Sequence, residues 1–270
     1  MSVNRSEEGR PAGFEIVDHP GVSVLARPSA IPWVRYVLES GLTLHEAAGN
    51  DRASLIIDGR KPVFLIPAKL PSGRSGEGQE RWVVRRFARG GRLLPRLLGD
   101  RYLDVGTPRP IHELAISEEA RRRGIPTPVV VAAAVYSAGT FYRGDLVTEF
   151  VTDATDLMEA LFDTRRKGLG GAVERLDSLR ATGGLIRTLA RAGLQHGDLH
   201  AGNILLQWEG VSPNPFILDL GRSRFLTGRK QADPGPMFRR LRRSLRKWEG
   251  RTGLRLSEQE WAALDEAVGA

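Results

Sequence analysis

The sequence predicts an α+β protein of two lobes, β-rich first and helical second. Three observations predict it. Short β-like runs crowd the stretch before Thr152, the apolar periodicity turns helical after it, and a polar loop near Asp198 then leads into two short apolar runs. Taken in order, the β-like runs are 54–58, 63–66 and 81–87, with a Gly/Ser-rich connector at 71–78. A helix follows. Thr107 is suited to cap it, Pro108 to open it and Arg121 to Arg123 to fill its last turn. Gly124 and Pro126 end it. The runs 129–136 and 140–151 come next, joined like a hairpin at Ser137-Ala138-Gly139. Beyond Thr152, helices are expected at 156–162 and 173–192. Val173, Leu176, Leu179, Ile186 and Leu189 form the buried stripe of the longer one, and Gly183 and Gly184 weaken it by roughly 1 kcal/mol each. The expected layout is a partly ordered N-terminal extension (1–50), a β-rich lobe (51–151) and a helical lobe (152–270).

At 270 residues, 41% of them hydrophobic, the chain can bury a core in each lobe. It has no cysteine, which excludes a disulfide framework and thiolate metal sites. The first 30 residues lack the apolar core of a signal peptide, and the longest apolar run, 129–136, is too short to span a bilayer. Net charge is +8, and 35 of the 40 basic residues are Arg. Arg forks suit phosphate, so the bias points to anionic partners: a phosphorylated glycolipid, an acidic membrane or nucleic acid. Solvated faces account for most of these residues equally well.

The chemistry concentrates in His196-Gly197-Asp198-Leu199-His200-Ala201-Gly202-Asn203 and in Asp219-Leu220-Gly221 after Phe216-Ile217-Leu218. A carboxylate, an amide at i+5 and a second carboxylate closing a strand are what phosphoryl transfer to a hydroxyl requires. Asp198 orients and deprotonates the hydroxyl. Asn203 and Asp219 supply hard oxygen ligands for Mg²⁺ on the nucleotide phosphates. His196 is expected to hold the turn through backbone bonds, and His200 either touches the acceptor or packs on the loop. With the β-rich lobe in front, the arrangement resembles the protein-kinase-like fold, with nucleotide between the lobes.

The same resemblance gives roles to the first lobe. Strand alternation puts Val83, Arg85 and Phe87 on one face, so Arg85 stands where protein kinases carry a phosphate-contacting Lys; Arg86 is the competing residue. Glu113 is its expected ion-pair partner, whereas Glu118 and Glu119 read as solvated. Gly59-Arg60 is the best turn over the phosphates, without a GxGxxG, and Gly73 to Gly78 is the alternative. The backbone from Glu149 to Val151 is expected to meet adenine, and Asp156 to cap the next helix, with reaching the ribose as its alternative. The segment 237–248 reads as a basic amphipathic helix, either packed on the core or lying on anionic lipid.

From about Gly59 to Trp248 the chain resembles the lipopolysaccharide core kinases, bacterial enzymes that phosphorylate Kdo or heptose. The resemblance is carried by Trp82 to Phe87 with Arg89-Gly90-Gly91, by Asp100-Arg101-Tyr102-Leu103, and by Glu113 ahead of Gly124-Ile125-Pro126-Thr127-Pro128. The segments from Phe141 to Glu149 and from Leu241 to Lys247 extend it. Arg on the third strand is shared with the Kdo-kinase branch. His200-Ala201-Gly202 and Gly221 depart from that branch, which bears on the acceptor sugar. The resemblance implies ATP and Mg²⁺ as cofactors, a lipid A–core glycolipid as acceptor and no nucleic-acid partner. It implies a cytoplasmic enzyme, peripheral on the inner face of the inner membrane. An atypical Ser/Thr protein kinase or another small-molecule phosphotransferase is the alternative, but the stretch after Asp219 is short and lacks Ala-Pro-Glu. A nucleotide-binding scaffold is a further alternative, against which the intact Asp198, Asn203 and Asp219 argue. No motif fixes an oligomeric state.

Overall fold

The computed structural model describes residues 11–57, 62–68, 80–87, 101–103, 106–162, 172–210 and 212–269. Two units emerge. Met1–Glu118 with Val129–Phe150 form the first, and Glu119–Pro128 with Val151–Ala270 form the second.

The first unit is built on an antiparallel sheet. Its strands are β1 (Glu15–His19), β2 (Val22–Ala26), β3 (Leu55–Ile57), β4 (Val63–Pro67), β5 (Arg81–Arg86), β6 (Tyr102–Leu103), β7 (Val130–Ala138) and β8 (Phe141–Glu149). They lie in the order β1-β2-β7-β8-β5-β4-β3, with β6 paired to β8. The helices of this unit are α1 (Ile31–Glu39), α2 (Leu44–Asn50) and α3 (Arg109–Arg122), the last of which ends on residues of the second unit. One sheet face, with Val24, Trp82, Val84, Ala132, Ala134 and Val147, packs against α1 and α2 through Trp33, Val34, Val37 and Leu44. The other face, with Leu25, Phe87, Ala133, Tyr142 and Leu146, packs against Leu114 of α3. Helices on both faces explain why 129–136 reads as a continuous apolar run: β7 is central and buried on both sides.

Residues 15–50 are therefore not an extension beside the fold. They supply β1, β2, α1 and α2, and β2 pairs with β7 from Val22↔Tyr136 to Ala26↔Ala132. Edge strand β1 escaped the pattern reading because only Val17 of its five residues is buried. Helix α2 did leave a signal, a capping box in which Thr43 and Glu46 exchange backbone and side-chain bonds. Helix α3 is anchored where it begins: the Arg109 amide donates to the Tyr142 hydroxyl at 2.9 Å. It lies so close to β8 that a Cβ on Gly144 would come 2.3 Å from Pro110 Cγ. Gly124, in the left-handed region at φ +75°, follows its end.

The second unit contains β9 (Ala154–Asp156), α4 (Leu157–Phe162), α5 (Ala172–Arg191), β10 (Leu194–His196), β11 (Ile204–Glu209), β12 (Ser212–Ile217), β13 (Ser223–Phe225), α6 (Gly235–Thr252) and α7 (Glu258–Val268). Its strands form two small sheets, β12-β11-β9 and β10-β13. Leu179, Ile186 and Leu189 of α5 are fully buried, but Val173 is 69% exposed, because it lies in the first turn, outside the packed stretch. Gly183 is a contact point rather than a weakness. A Cβ there would lie 2.5 Å from Ala267 Cβ and 2.9 Å from the Ala267 carbonyl carbon on α7. Gly183→Ala should gain helix propensity and still destabilise, by about 1–3 kcal/mol, because α7 must move away. A denaturant midpoint equal to or above that of wild type would refute this close packing.

The basic amphipathic segment resolves into α6. Its apolar residues Met237, Phe238, Leu241 and Leu245 are buried inside the unit, so that face is not available to lipid. Arg239, Arg240, Arg243, Arg246, Lys247 and Arg251 are exposed along the helix. Among the described residues, no helix is long and apolar enough to cross a membrane.

Candidate active site

In the second unit, β10 delivers His196, and Asp198 follows one residue beyond Gly197. A short 3₁₀ turn, Ala201–Asn203, then leads into β11. Strands β11 and β12 pair with Ile204 opposite Ile217. That register sets Asn203 beside Leu218, and the Leu218 amide donates to the Asn203 carbonyl at 2.9 Å. Asn203 and Asp219 therefore emerge at the same end of one hairpin.

A closed circuit of hydrogen bonds binds this end to Asp198. Asn203 Nδ2 donates to the Asp198 carbonyl at 3.0 Å. The Asp198 amide donates to His196 Nδ1 at 3.2 Å. His196 Nε2 lies 3.0 Å from the Leu218 carbonyl, and Leu218 returns to Asn203. The circuit fixes the tautomer: a ring whose Nδ1 accepts from an amide must carry its proton on Nε2, which donates to Leu218. His196, 1% exposed, is the hub of the loop.

Burial pushes the His196 pKa below its usual value, against the opposing pulls of the Leu218 carbonyl, Asp219 and Asp198. A depressed histidine pKa means that the unfolded chain takes up the proton first. The stabilisation is thus complete above the unfolded value of about 6.5 and is lost as pH falls through it. Between pH 7.5 and 5.5, wild type should lose more thermal stability than His196→Gln. Equal losses would show that the ring does not titrate against the fold.

Two further contacts hold the loop from α6. The His196 amide lies 3.4 Å from Met237 Sδ, and the Ala201 amide donates to Ser244 Oγ at 3.2 Å. Met237 and Ser244 are two turns apart, so one helix face grips both ends of the segment. Motif reading missed these residues and Arg222, whose Nη1 lies 3.4 Å from Asp198 Oδ2. Gly197 has no substitute, because a Cβ would come 2.3 Å from the Arg222 carbonyl oxygen. Asp219 is exposed and sits in the left-handed region at φ +53°, where a non-glycine residue costs energy and its side chain is re-aimed.

Hard, oxygen-binding Mg²⁺ suits this donor set. With the Asn203 amide nitrogen bonded to Asp198, its Oδ1 is the atom left to ligate, and the exposed Asp219 carboxylate is the second ligand type that Mg²⁺ prefers.

In the first unit, Arg85 Nη2 bonds Glu113 Oε1 on α3, and its guanidinium lies 4.7 Å from the centre of the Phe87 ring. Arg86 points to the opposite face, where Nε donates to Asp145 Oδ1 at 3.0 Å and Nη2 to Thr43 Oγ1. Asp145, fully buried, also accepts from the His45 amide at 3.0 Å, so Arg86 and Asp145 tie α2 to the sheet. Glu118 and Glu119 are not merely solvated. Glu118 pairs with Arg27 at 2.8 Å, and Glu119 with Arg122 and Arg123. At the end of β8, the Glu149 amide donates to the Val129 carbonyl and the Phe150 amide to the Arg81 carbonyl. Asp156 caps α4 by accepting from the Glu159 amide at 2.7 Å. His200 is half-buried within the loop. Gly59-Arg60, the 71–78 connector and Arg89-Gly90-Gly91 lie outside the described residues.

Asp198 and Asn203 on one hydrogen-bonded circuit, with Asp219 next to its member Leu218, form an arrangement able to serve a phosphotransferase with an alcohol acceptor. Comparison with known proteins agrees: the chain matches the model of the "Lipopolysaccharide kinase (Kdo/WaaP) family" over residues 71–267, and it belongs to that family. It is 32% identical to a "3-deoxy-D-manno-octulosonic acid kinase" of Haemophilus influenzae (strain 86-028NP) over 191 residues, covering 68% of this chain and 74% of the relative. It is 31% identical to a protein of the same description in Xanthomonas axonopodis pv. citri (strain 306), over 81% of this chain and 80% of that one. Among solved structures, "WaaP in complex with acyl carrier protein" is similar at a TM-score of 0.54 and 13% identity, covering 91% of this chain and 88% of that one, so the two share a fold.

Proposed function

We propose that this chain transfers the γ-phosphoryl group of ATP, with Mg²⁺, to a hydroxyl of a Kdo sugar in the lipopolysaccharide inner core. The circuit through His196, Asp198, Asn203 and Leu218 carries the reading, since it gathers a hydroxyl-orienting carboxylate and two oxygen ligands in one place. The relatives described as Kdo kinases favour that sugar over heptose. Asp198 accepts the hydrogen bond of the attacking hydroxyl and aligns its oxygen. Asn203 Oδ1 and the Asp219 carboxylate hold the metal. When bound, Mg²⁺ neutralises charge on the phosphate oxygens. Arg85, steadied by Glu113, contacts the nucleotide phosphates. With the Glu149 and Phe150 amides already bonded within the sheet, the Val151 amide is the donor we assign to adenine. Most of the rate enhancement comes from positioning and electrostatics.

The acceptor is an anionic glycolipid, and we place the enzyme at the inner face of the inner membrane. The buried apolar face of α6 rules out insertion by that helix, so attachment rests on exposed Arg239, Arg243, Arg246, Lys247 and Arg251, at about 1 kcal/mol each near anionic headgroups and weakened by salt.

The test is transfer of radiolabelled γ-phosphate to lipid A precursors with and without Kdo, to heptosylated cores and to a general protein substrate. Label only on acceptors ending in Kdo is expected. Label on protein Ser or Thr and on no lipid would overturn the reading.

A further inference from the structure

A cavity of about 460 Å³ opens beside the His196-Gly197-Asp198 segment. Its wall includes His196 and Gly197 and carries three guanidinium groups, Arg222, Arg224 and Arg240, against one carboxylate, Asp233. The carboxylate is already engaged, accepting from the Gly235 amide at 2.8 Å. Arg224 Nε donates to Gln195 Oε1 at 3.0 Å, and Arg240 Nη1 to the Pro236 carbonyl at 3.2 Å. Both partners are neutral, and neither arginine has a carboxylate partner among the described residues. Arg222 reaches from the cavity wall to Asp198. Three cations converging on a hollow next to the hydroxyl-orienting carboxylate make a receptor for an oxyanion, because guanidinium forks match carboxylate and phosphate geometry.

We propose that Arg222, Arg224 and Arg240 form an acceptor subsite that binds a carboxylate or phosphate of the glycolipid and so presents its hydroxyl to Asp198. This rests on the acceptor proposed above, a sugar acid carried on lipid A, which offers both anions. Arg222 is the link, since an anion that it shares with Arg224 and Arg240 is held beside Asp198.

The experiment measures steady-state transfer to detergent-dispersed Kdo-lipid A by wild type and by the double variant Arg224→Gln/Arg240→Gln. A second pair, Arg187→Gln/Arg191→Gln, removes the same charge from exposed positions on α5. The pocket variant should raise the acceptor KM about tenfold or more, with the ATP KM and kcat within about twofold of wild type. The α5 pair should leave all three unchanged. An unchanged acceptor KM in the pocket variant, or an equal rise in the α5 pair, would overturn the subsite. If the double variant also loses ATP affinity, single Arg240→Gln decides by the same criterion. Wild type inactive on every Kdo acceptor would instead remove the functional reading and the subsite with it, a result visible without any variant. Two modified acceptors locate the anion. If the ratio of variant to wild-type KM collapses on a Kdo methyl ester, the subsite holds the sugar carboxylate. If it collapses on a dephosphorylated lipid A, the subsite holds a phosphate.

Discussion

Asp198→Asn and Asp219→Asn are each expected to lower kcat by about 10²-fold or more while the protein stays folded. In the mechanism we propose the two aspartates do different work, so the variants should fail differently. In Asp198→Asn the circuit survives, because Asp198 enters it through its backbone amide and carbonyl. What is lost is the carboxylate that aligns the hydroxyl. The acceptor and ATP should still bind, so the loss falls in kcat. In Asp219→Asn an anionic oxygen ligand becomes a neutral amide, which weakens Mg²⁺ binding, and excess Mg²⁺ should restore part of the activity. The αL backbone at Asp219 tolerates Asn, so the exchange is conformationally mild. Melting curves and Mg²⁺ titrations of turnover check both. Wild-type-like turnover in either variant would remove that residue from the mechanism.

Arg85→Ala should cost about 2–3 kcal/mol of stability and raise the KM for ATP. It takes away the guanidinium beside Glu113, whose side chain is only 4% exposed. Breaking a buried pair costs about 3–5 kcal/mol; Arg85 is itself 26% exposed, so we take less. Arg85→Ala/Glu113→Gln separates stability from function. Removing the buried charge should return part of the stability and none of the ATP affinity. Recovery of both would mean that Arg85 serves only to satisfy Glu113.

Local signals made much of this protein legible, and long-range ones hid the rest. Asp198, Asn203 and Asp219 stood out by residue type and spacing, and what the structure adds is that the β11–β12 register brings Asn203 and Asp219 to one end of a hairpin. Arg85 could be told from Arg86 because strand alternation is strict, and the partners found for each lie on opposite faces of the sheet. Strand β1 was opaque because it is an edge strand with one buried residue, and edges carry little apolar pattern, whereas the capping box of α2 was a legible signal that went unread. Val173 was misjudged because helical periodicity does not say where a helix leaves its neighbours. Gly183 looked like a weakness because propensity does not see Ala267 across the helix pair. Met237 and Ser244 are far from the motif in sequence, and Arg222, though it follows Gly221, reaches the Asp198 loop only through folding. The pairing of β10 with β13 brings Arg222 to Gly197, and no periodicity announces that.

The adjacent arginines of β5 give the sheet a parity check. Arg86 sits opposite Asp145 and Arg85 opposite Leu146, each with its own anion on its own side. A shift of the strand by one residue would turn Arg86 toward α3 and set Phe87 against the buried Asp145. Both faces would then be wrong at once, one by a misplaced cation and the other by a carboxylate without its arginine. Strand pairing alone cannot distinguish the two alignments, since the backbone ladder is the same in each. Charge can, so during folding the β4–β5–β8 core carries its own proof-reading of which side is which.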